Sequence, residues 1–273
     1  MERAKRAYKE FYVDRKLGKQ LLIGPEPHYL FVITPPYSGS TALAQVLNSA
    51  PSSALLQERG EGQWLVPGMG CSDRWDESKK IDWKGVRIVW EKRIALLRAL
   101  VQNVEVIIEK SPPNMVRVDD LVSVFPNHTL LAFNRNPYAN CSSILFRHYN
   151  VEMLNEKERN EAVASLADAW IKRSNWVRKA IEEKGALHFT YEGFCSDTQG
   201  CIDQLSEKVP AFQDVDIERP LYVKDYEPQK ISDQNSRQIS KLSPEDVVII
   251  SQRLNRDSEL VSYFGYKIIG DHD

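Results

Sequence analysis

The feature that most constrains this chain is the regular exchange of short, largely apolar runs with longer stretches of helical period. "YLFVI" (29–33), "VEVIIEK" (104–110) and "HTLLAFNRN" (128–136) do not alternate apolar with polar residues as half-exposed strands do. Helical patterns separate them: one from about Thr41 with Leu43, Val46 and Leu47, one over about 87–102, and one within 111–126. Strands buried on both faces and joined by helices predict an α/β fold with a parallel sheet flanked by helices. "SALLQERGEGQWLVP" begins as a further short strand, and "ALHFTYEGF" reads as the last one. "PYANCSSILFRHYN" is a helix with Asn136 as its N-cap and Pro137 at its first position. A long helix covers about 157–183, with Leu166, Trp170, Val177 and Ile181 on one face. Two more follow, "TQGCIDQLSEKV" and "SPEDVVIISQRLN", separated by an irregular stretch over 211–236.

With 273 residues, 42% of them hydrophobic, the chain can bury one large core, and we expect a single domain over 1–273. Its core spans about 28–266, and 1–27 form an N-terminal extension, expected as a surface helix. Basic and acidic residues number 36 and 38, which argues against non-specific binding to nucleic acid but leaves room for a local basic pocket. Cys71, Cys141, Cys195 and Cys201 have no metal or redox spacing. No apolar run reaches the ~18 residues of a membrane span, and "MERAKRAYKEFYVDRK" lacks the apolar core of a secretory leader. These features predict a soluble, cytoplasmic protein, in which the glycosylation sequons at Asn127 and Asn140 are coincidental.

In such sheets ligands sit beyond the carboxyl ends of the strands. Three segments fall there. The first is Pro36-Tyr37-Ser38-Gly39-Ser40-Thr41, between a strand and a helix. Gly39 lets the backbone curl towards a ligand, the helix N-terminus favours an anion, and Ser40 and Thr41 add hydroxyls. An ordinary capped turn has the same composition. The signature G-x-x-x-x-G-K-[ST] is absent, and no lysine lies in the loop. The second segment is Arg135 with Ser143 eight residues on, about two helical turns into the next helix. A guanidinium and a hydroxyl so placed can grip one phosphate, though a surface arginine and a helix-face serine need no ligand. The third is Glu109-Lys110-Ser111-Pro112, which offers a carboxylate and an ammonium or a solvated charge pair.

The order S-G-[ST]-T, then E-K-S-P, then R-N-P with a serine eight residues on resembles the sulfotransferase family. "FPNHTLLAFNRNPYANCSSI" is similar to the family's segment for the donor's 3′-phosphate, "FTYEGFCSDTQGCIDQL" to its later Y-E-D strand and helix, and "YFGY" to its C-terminal close. The likeness spans about 28–266 and is strongest to the bacterial and Golgi-type branches that carry E-K-[ST]-P.

The resemblance implies a P-loop-like sulfotransferase fold and the donor 3′-phosphoadenosine 5′-phosphosulfate (PAPS). By that likeness Ser38, Gly39, Ser40 and Thr41 cradle the 5′-phosphosulfate, Arg135 and Ser143 hold the 3′-phosphate, and Tyr191, in the "FTYEGF" strand, approaches the adenine. The implied acceptor is a hydroxyl or amine of a small molecule, glycan or peptide, and no metal is expected. Sulfuryl transfer of this kind needs in-line positioning, charge at the leaving phosphate and a base for the acceptor proton.

The family's usual lysine or arginine before Ser-Gly is Tyr37 here. A phenol donates a hydrogen bond but brings no positive charge. Either Lys110 supplies that charge, or Tyr37 serves a slower enzyme, or the protein binds nucleotide without turnover. Two carboxylates qualify as base: Glu109, which matches the glutamate of E-K-S-P in the heparan N-sulfotransferase branch, and Glu61 of "QERGEGQW", which resembles the G-E segment of tyrosylprotein sulfotransferases. The histidine base of the cytosolic branch has no counterpart, since Lys110 is near that position, and His148 reads as a polar helix-end residue. Trp64, Trp75 and Trp83 either line an acceptor site or anchor the 57–90 excursion. Arg237 and Lys241 of "NSRQISK" are candidates for closing over the donor. Two other functions fit parts of the pattern: a silent nucleotide-binding scaffold, and a P-loop small-molecule kinase, which the missing lysine disfavours.

Overall fold

The computed structural model describes residues 24–57, 60–62, 70, 72–100, 103–222 and 227–270. The expected N-terminal surface helix, Trp64 and Cys71 lie outside them. Five strands form one sheet: β1 (His28–Ile33), β2 (Ser53–Leu55), β3 (Val106–Glu109), β4 (His128–Asn134) and β5 (Leu187–Thr190). Their order is β2-β3-β1-β4-β5, and every pairing is parallel. The described helices are α1 (Ser40–Leu47), α2 (Trp83–Leu100), α3 (Val118–Val124), α4 (Pro137–His148), α5 (Glu156–Lys184), α6 (Tyr191–Ser196), α7 (Thr198–Lys208), α8 (Asn235–Ile239), α9 (Pro244–Leu254) and α10 (Ser258–Tyr263).

The unbroken apolar runs are explained by burial on both faces. Successive side chains of a strand point to opposite sides. In β1, Tyr29, Phe31 and Ile33 therefore join one core, with Trp90 of α2, Phe125, and Tyr138 and Leu145 of α4. Leu30 and Val32 join the other, with Leu43 and Leu47 of α1, Phe194 of α6 and Leu205 of α7. Tyr29, Phe31, Trp90 and Phe125 interlock, with ring centroids 4.7–6.4 Å apart. Truncating one such ring to alanine costs about 3–5 kcal/mol.

Because α1 leaves β1 towards one face and α4 leaves the neighbouring β4 towards the other, a crevice opens between the carboxyl ends of β1 and β4. The elements expected within the described residues are present, with differences at two boundaries. Helix α2 begins at Trp83, ahead of the expected 87, and the last strand stops at Thr190. Thr190 caps α6 through its side chain, which accepts from Gly193 N, so Tyr191 opens a helix rather than lying in the strand. Among the described residues no helix is long and apolar enough to cross a membrane.

Candidate active site

The loop from β1 to α1 lies at this crevice. Gly39 takes a left-handed conformation, φ 84°, and opens α1 with no side chain capping it. Ala42 N and Leu43 N donate to Gly39 O at 2.9 and 3.3 Å, which leaves the amides of Ser40 and Thr41 at the helix N-terminus with the positive end of the dipole. A β-carbon at Gly39 would stand 2.4 Å from Tyr191 Cδ2, so only glycine lets the loop pass under that ring. Tyr37 is also left-handed, φ 64°, a strain of about 1–3 kcal/mol for a side-chain-bearing residue. Two side chains across the crevice hold it. Asn140 Nδ2 donates to Pro36 O at 2.8 Å and to Ser38 Oγ at 3.4 Å, and Arg135 Nη1 donates to Tyr37 O at 3.0 Å.

Arg135 and Ser143 meet as their spacing predicts. Asn136 caps α4 by accepting from Tyr138 N and Ala139 N, which fixes the helix directly after Arg135. Arg135 Nη1 reaches Ser143 Oγ at 3.4 Å, and that hydroxyl donates to Ala139 O at 2.8 Å. Arg135 Nε donates to Asn235 Oδ1 at 2.8 Å, and its guanidinium carbon sits 4.3 Å from the centroid of the Tyr191 ring. The remaining nitrogen, Nη2, is buried and has no hydrogen-bond partner among the described residues. Leaving such a donor unpaired is costly, and an oxyanion satisfies it.

Tyr191 is thus sandwiched between Arg135 and Gly39. Its hydroxyl donates to Ser232 O and accepts from Gln234 N, each at 3.0 Å. Burial pushes the phenol well up and keeps it a donor. Glu192, next in α6, accepts from Asn136 N at 2.9 Å, Asn235 Nδ2 at 2.5 Å and Tyr266 hydroxyl at 3.0 Å.

Glu109 and Lys110 diverge. Glu109 is fully buried, and its carboxylate accepts from Gly62 N at 2.9 Å and from the side chains of Ser111 and Asn114. Burial pushes it up to about 7 against the pull of these donors. Lys110, with its side chain 2% exposed, points to the loop between β1 and α1, where Nζ lies 2.9 Å from Glu61 Oε1 and 3.4 Å from Thr41 Oγ1. Glu61 keeps 22% of its side chain exposed.

Of the weaker candidates, Trp75 and Trp83 pack against the core, and the Arg173 guanidinium carbon lies 5.1 Å from the Trp75 ring centroid. From the late basic segment, the residue that reaches Arg135 is Asn235. Lys241 instead bonds Gln238 Oε1 at 3.2 Å and lies 5.8 Å from the Phe146 ring centroid. His148 is the exposed last residue of α4, as expected, and its Nε2 is 2.5 Å from the Tyr37 hydroxyl. Asn140, Asn235 and Glu192 escaped the sequence reading. The sequon at Asn140 drew notice for another reason, and its side chain is 1% exposed.

A model of the sulfotransferase family matches residues 27–209, more than half of the chain. Sulfotransferase STF9 from Mycobacterium avium superposes with a TM-score of 0.55 at 14% identity, covering 94% of this chain and 82% of that one, and shows the same fold. The sulfotransferase domain of the curacin biosynthetic pathway follows at TM-score 0.49 and 17% identity, covering 90% of this chain and 100% of that one. Sulfotransferase STF1 from Mycobacterium tuberculosis H37Rv matches at TM-score 0.49 and 11% identity, covering 94% and 81%. No curated protein matches. With the family model covering this much of the sequence, the chain belongs to the sulfotransferase family.

Proposed function

We propose that the protein transfers a sulfuryl group from PAPS to a hydroxyl or amine of a small-molecule, glycan or peptide acceptor. The observation that carries this is the Arg135 guanidinium, which reaches Ser143, faces the Tyr191 ring and has a buried Nη2 with no partner among the described residues. That set fits a phosphate on a nucleoside: a fork of donors, a hydroxyl and an aromatic face. In this reading Arg135 and Ser143 hold the 3′-phosphate, the Ser38–Thr41 backbone and hydroxyls hold the 5′ side, and Tyr191 borders the adenine.

The donor supplies an activated sulfuryl group, and the chain's own residues bind, orient and neutralise. Lys110 is the cation at the loop, placed by Thr41 and Glu61. It stabilises charge growing on the leaving phosphate, the role the loop itself leaves without a cation. Glu61 is the base, since it combines exposure with a direct contact to Lys110. Glu109 holds the 60–62 segment in place through Gly62, with both carboxylate oxygens engaged.

The test is calorimetry without metal, comparing 3′-phosphoadenosine 5′-phosphate (PAP) with AMP and ATP. We expect PAP to bind far more tightly than AMP. In Arg135→Ala its affinity should fall tenfold or more, from the roughly 1.5–3 kcal/mol of a charged hydrogen bond. Equal affinity for PAP and AMP would sink the reading.

A further inference from the structure

Tyr37 and His148 form a pair that the roles above leave without work. The Tyr37 hydroxyl lies 2.5 Å from His148 Nε2, and the rings meet edge-on at 87° with centroids 5.4 Å apart. Neither ring serves the core, for Tyr37 is 37% exposed and His148 is exposed. Yet Tyr37 is kept in a left-handed backbone directly before the anion loop, through the contacts of Arg135 and Asn140. Strain persists where the surroundings impose it, and here the residues that impose it also build the phosphate site. The pair also ties the loop to the end of α4, the helix that carries Ser143.

We propose that Tyr37 and His148 act as one donor unit for the oxyanion at the 5′ side of the nucleotide. With hydrogen on Nε2, the imidazole donates to the phenolic oxygen. The phenol's own hydrogen is then released from histidine and turns to the phosphate. With Nε2 bare, the phenol donates to it and has nothing left for the ligand. His148 is therefore a positioning residue: it sets which way the Tyr37 hydroxyl points, and Tyr37 makes the contact. Lys110 serves the anion from the Thr41 side of the loop and the pair from the Tyr37 side. This rests on the nucleotide reading above.

The experiment titrates PAP and adenosine 3′-phosphate, which lacks the 5′-phosphate, into the full chain and its variants. In Tyr37→Phe and His148→Ala, PAP affinity should fall about tenfold or more while adenosine 3′-phosphate binds as before. His148→Gln, whose amide keeps a donor beside the phenol, should retain most of the PAP affinity. The double variant should lose no more than Tyr37→Phe alone, because both changes remove one unit. PAP affinity unchanged in Tyr37→Phe, or an equal loss for both ligands, overturns the pair while leaving the nucleotide reading intact. If wild type binds PAP no better than AMP, the nucleotide reading falls and the pair with it.

Discussion

Asn140 shows how one buried amide sets the geometry of a loop a hundred residues away. Its Nδ2 donates to Pro36 O and Ser38 Oγ, and the residue is almost fully buried. A main-chain carbonyl left without that donor loses a net bond and keeps its desolvation cost. Asn140→Ala should lower the unfolding free energy by about 1–3 kcal/mol in urea titrations. Asn140→Asp should cost more, because a carboxylate oxygen would then face the Pro36 carbonyl, acceptor against acceptor. An aspartate variant as stable as the alanine one would show that the amide does not donate there.

At the scale of the element, the end of β3 divides its work by strand alternation. Glu109 turns to the face of Trp90 and Gly62, and Lys110 to the face of α1. The raised Glu109 carboxyl has a consequence for stability. Its folded value is about 7 against an ordinary 4.5, so between these the native protein holds a proton that the unfolded chain has released. The stability it contributes is complete below 4.5 and is lost as pH rises through 7. The loss is about 3 kcal/mol at 1.36 kcal/mol per unit. Glu109→Gln removes that titration. Urea unfolding from pH 5 to 8 should therefore fall more steeply for wild type than for the variant, and parallel slopes would refute the assignment. What was legible in the sequence was local in the same way. The strands, the loop glycine, the Asn136 cap and the Arg135–Ser143 spacing depend on neighbours a few residues apart. Asn140 to Pro36, Arg135 to Asn235 and Tyr37 to His148 join residues about a hundred positions apart. No periodicity encodes such pairs; only the folded sheet brings them together. Tyr191 was misplaced because Phe189 and Tyr191 continue a strand-like pattern that the Thr190 cap cuts short.

For the molecule as a whole, the guanidinium of Arg135 is where distant parts of the chain converge. It donates to Tyr37 O in the loop, to Ser143 on α4 and to Asn235 at the start of α8, and it faces Tyr191 on α6. Asn235 in turn donates to Glu192, which also receives Tyr266 from beyond α10. A ligand that engages the free Nη2 fixes the guanidinium plane, and so fixes the direction in which Nε meets Asn235. On the proposed reading, nucleotide binding at Arg135 and order in α8 are one coupled equilibrium, and each must strengthen the other by the same factor. Helix α8 has five residues and no side-chain cap; Asn235 joins it to Arg135 and Glu192, while Ser142 Oγ donates to Gln238 O at 2.6 Å and Ile239 packs on the core. Saturating PAP should slow hydrogen exchange across 235–239 in wild type. In Asn235→Ala that added protection should disappear, and PAP should bind several-fold more weakly, because Arg135 Nε loses its acceptor. Protection of α8 by PAP that survives in Asn235→Ala would mean that the ligand reaches the helix by some route other than this side chain.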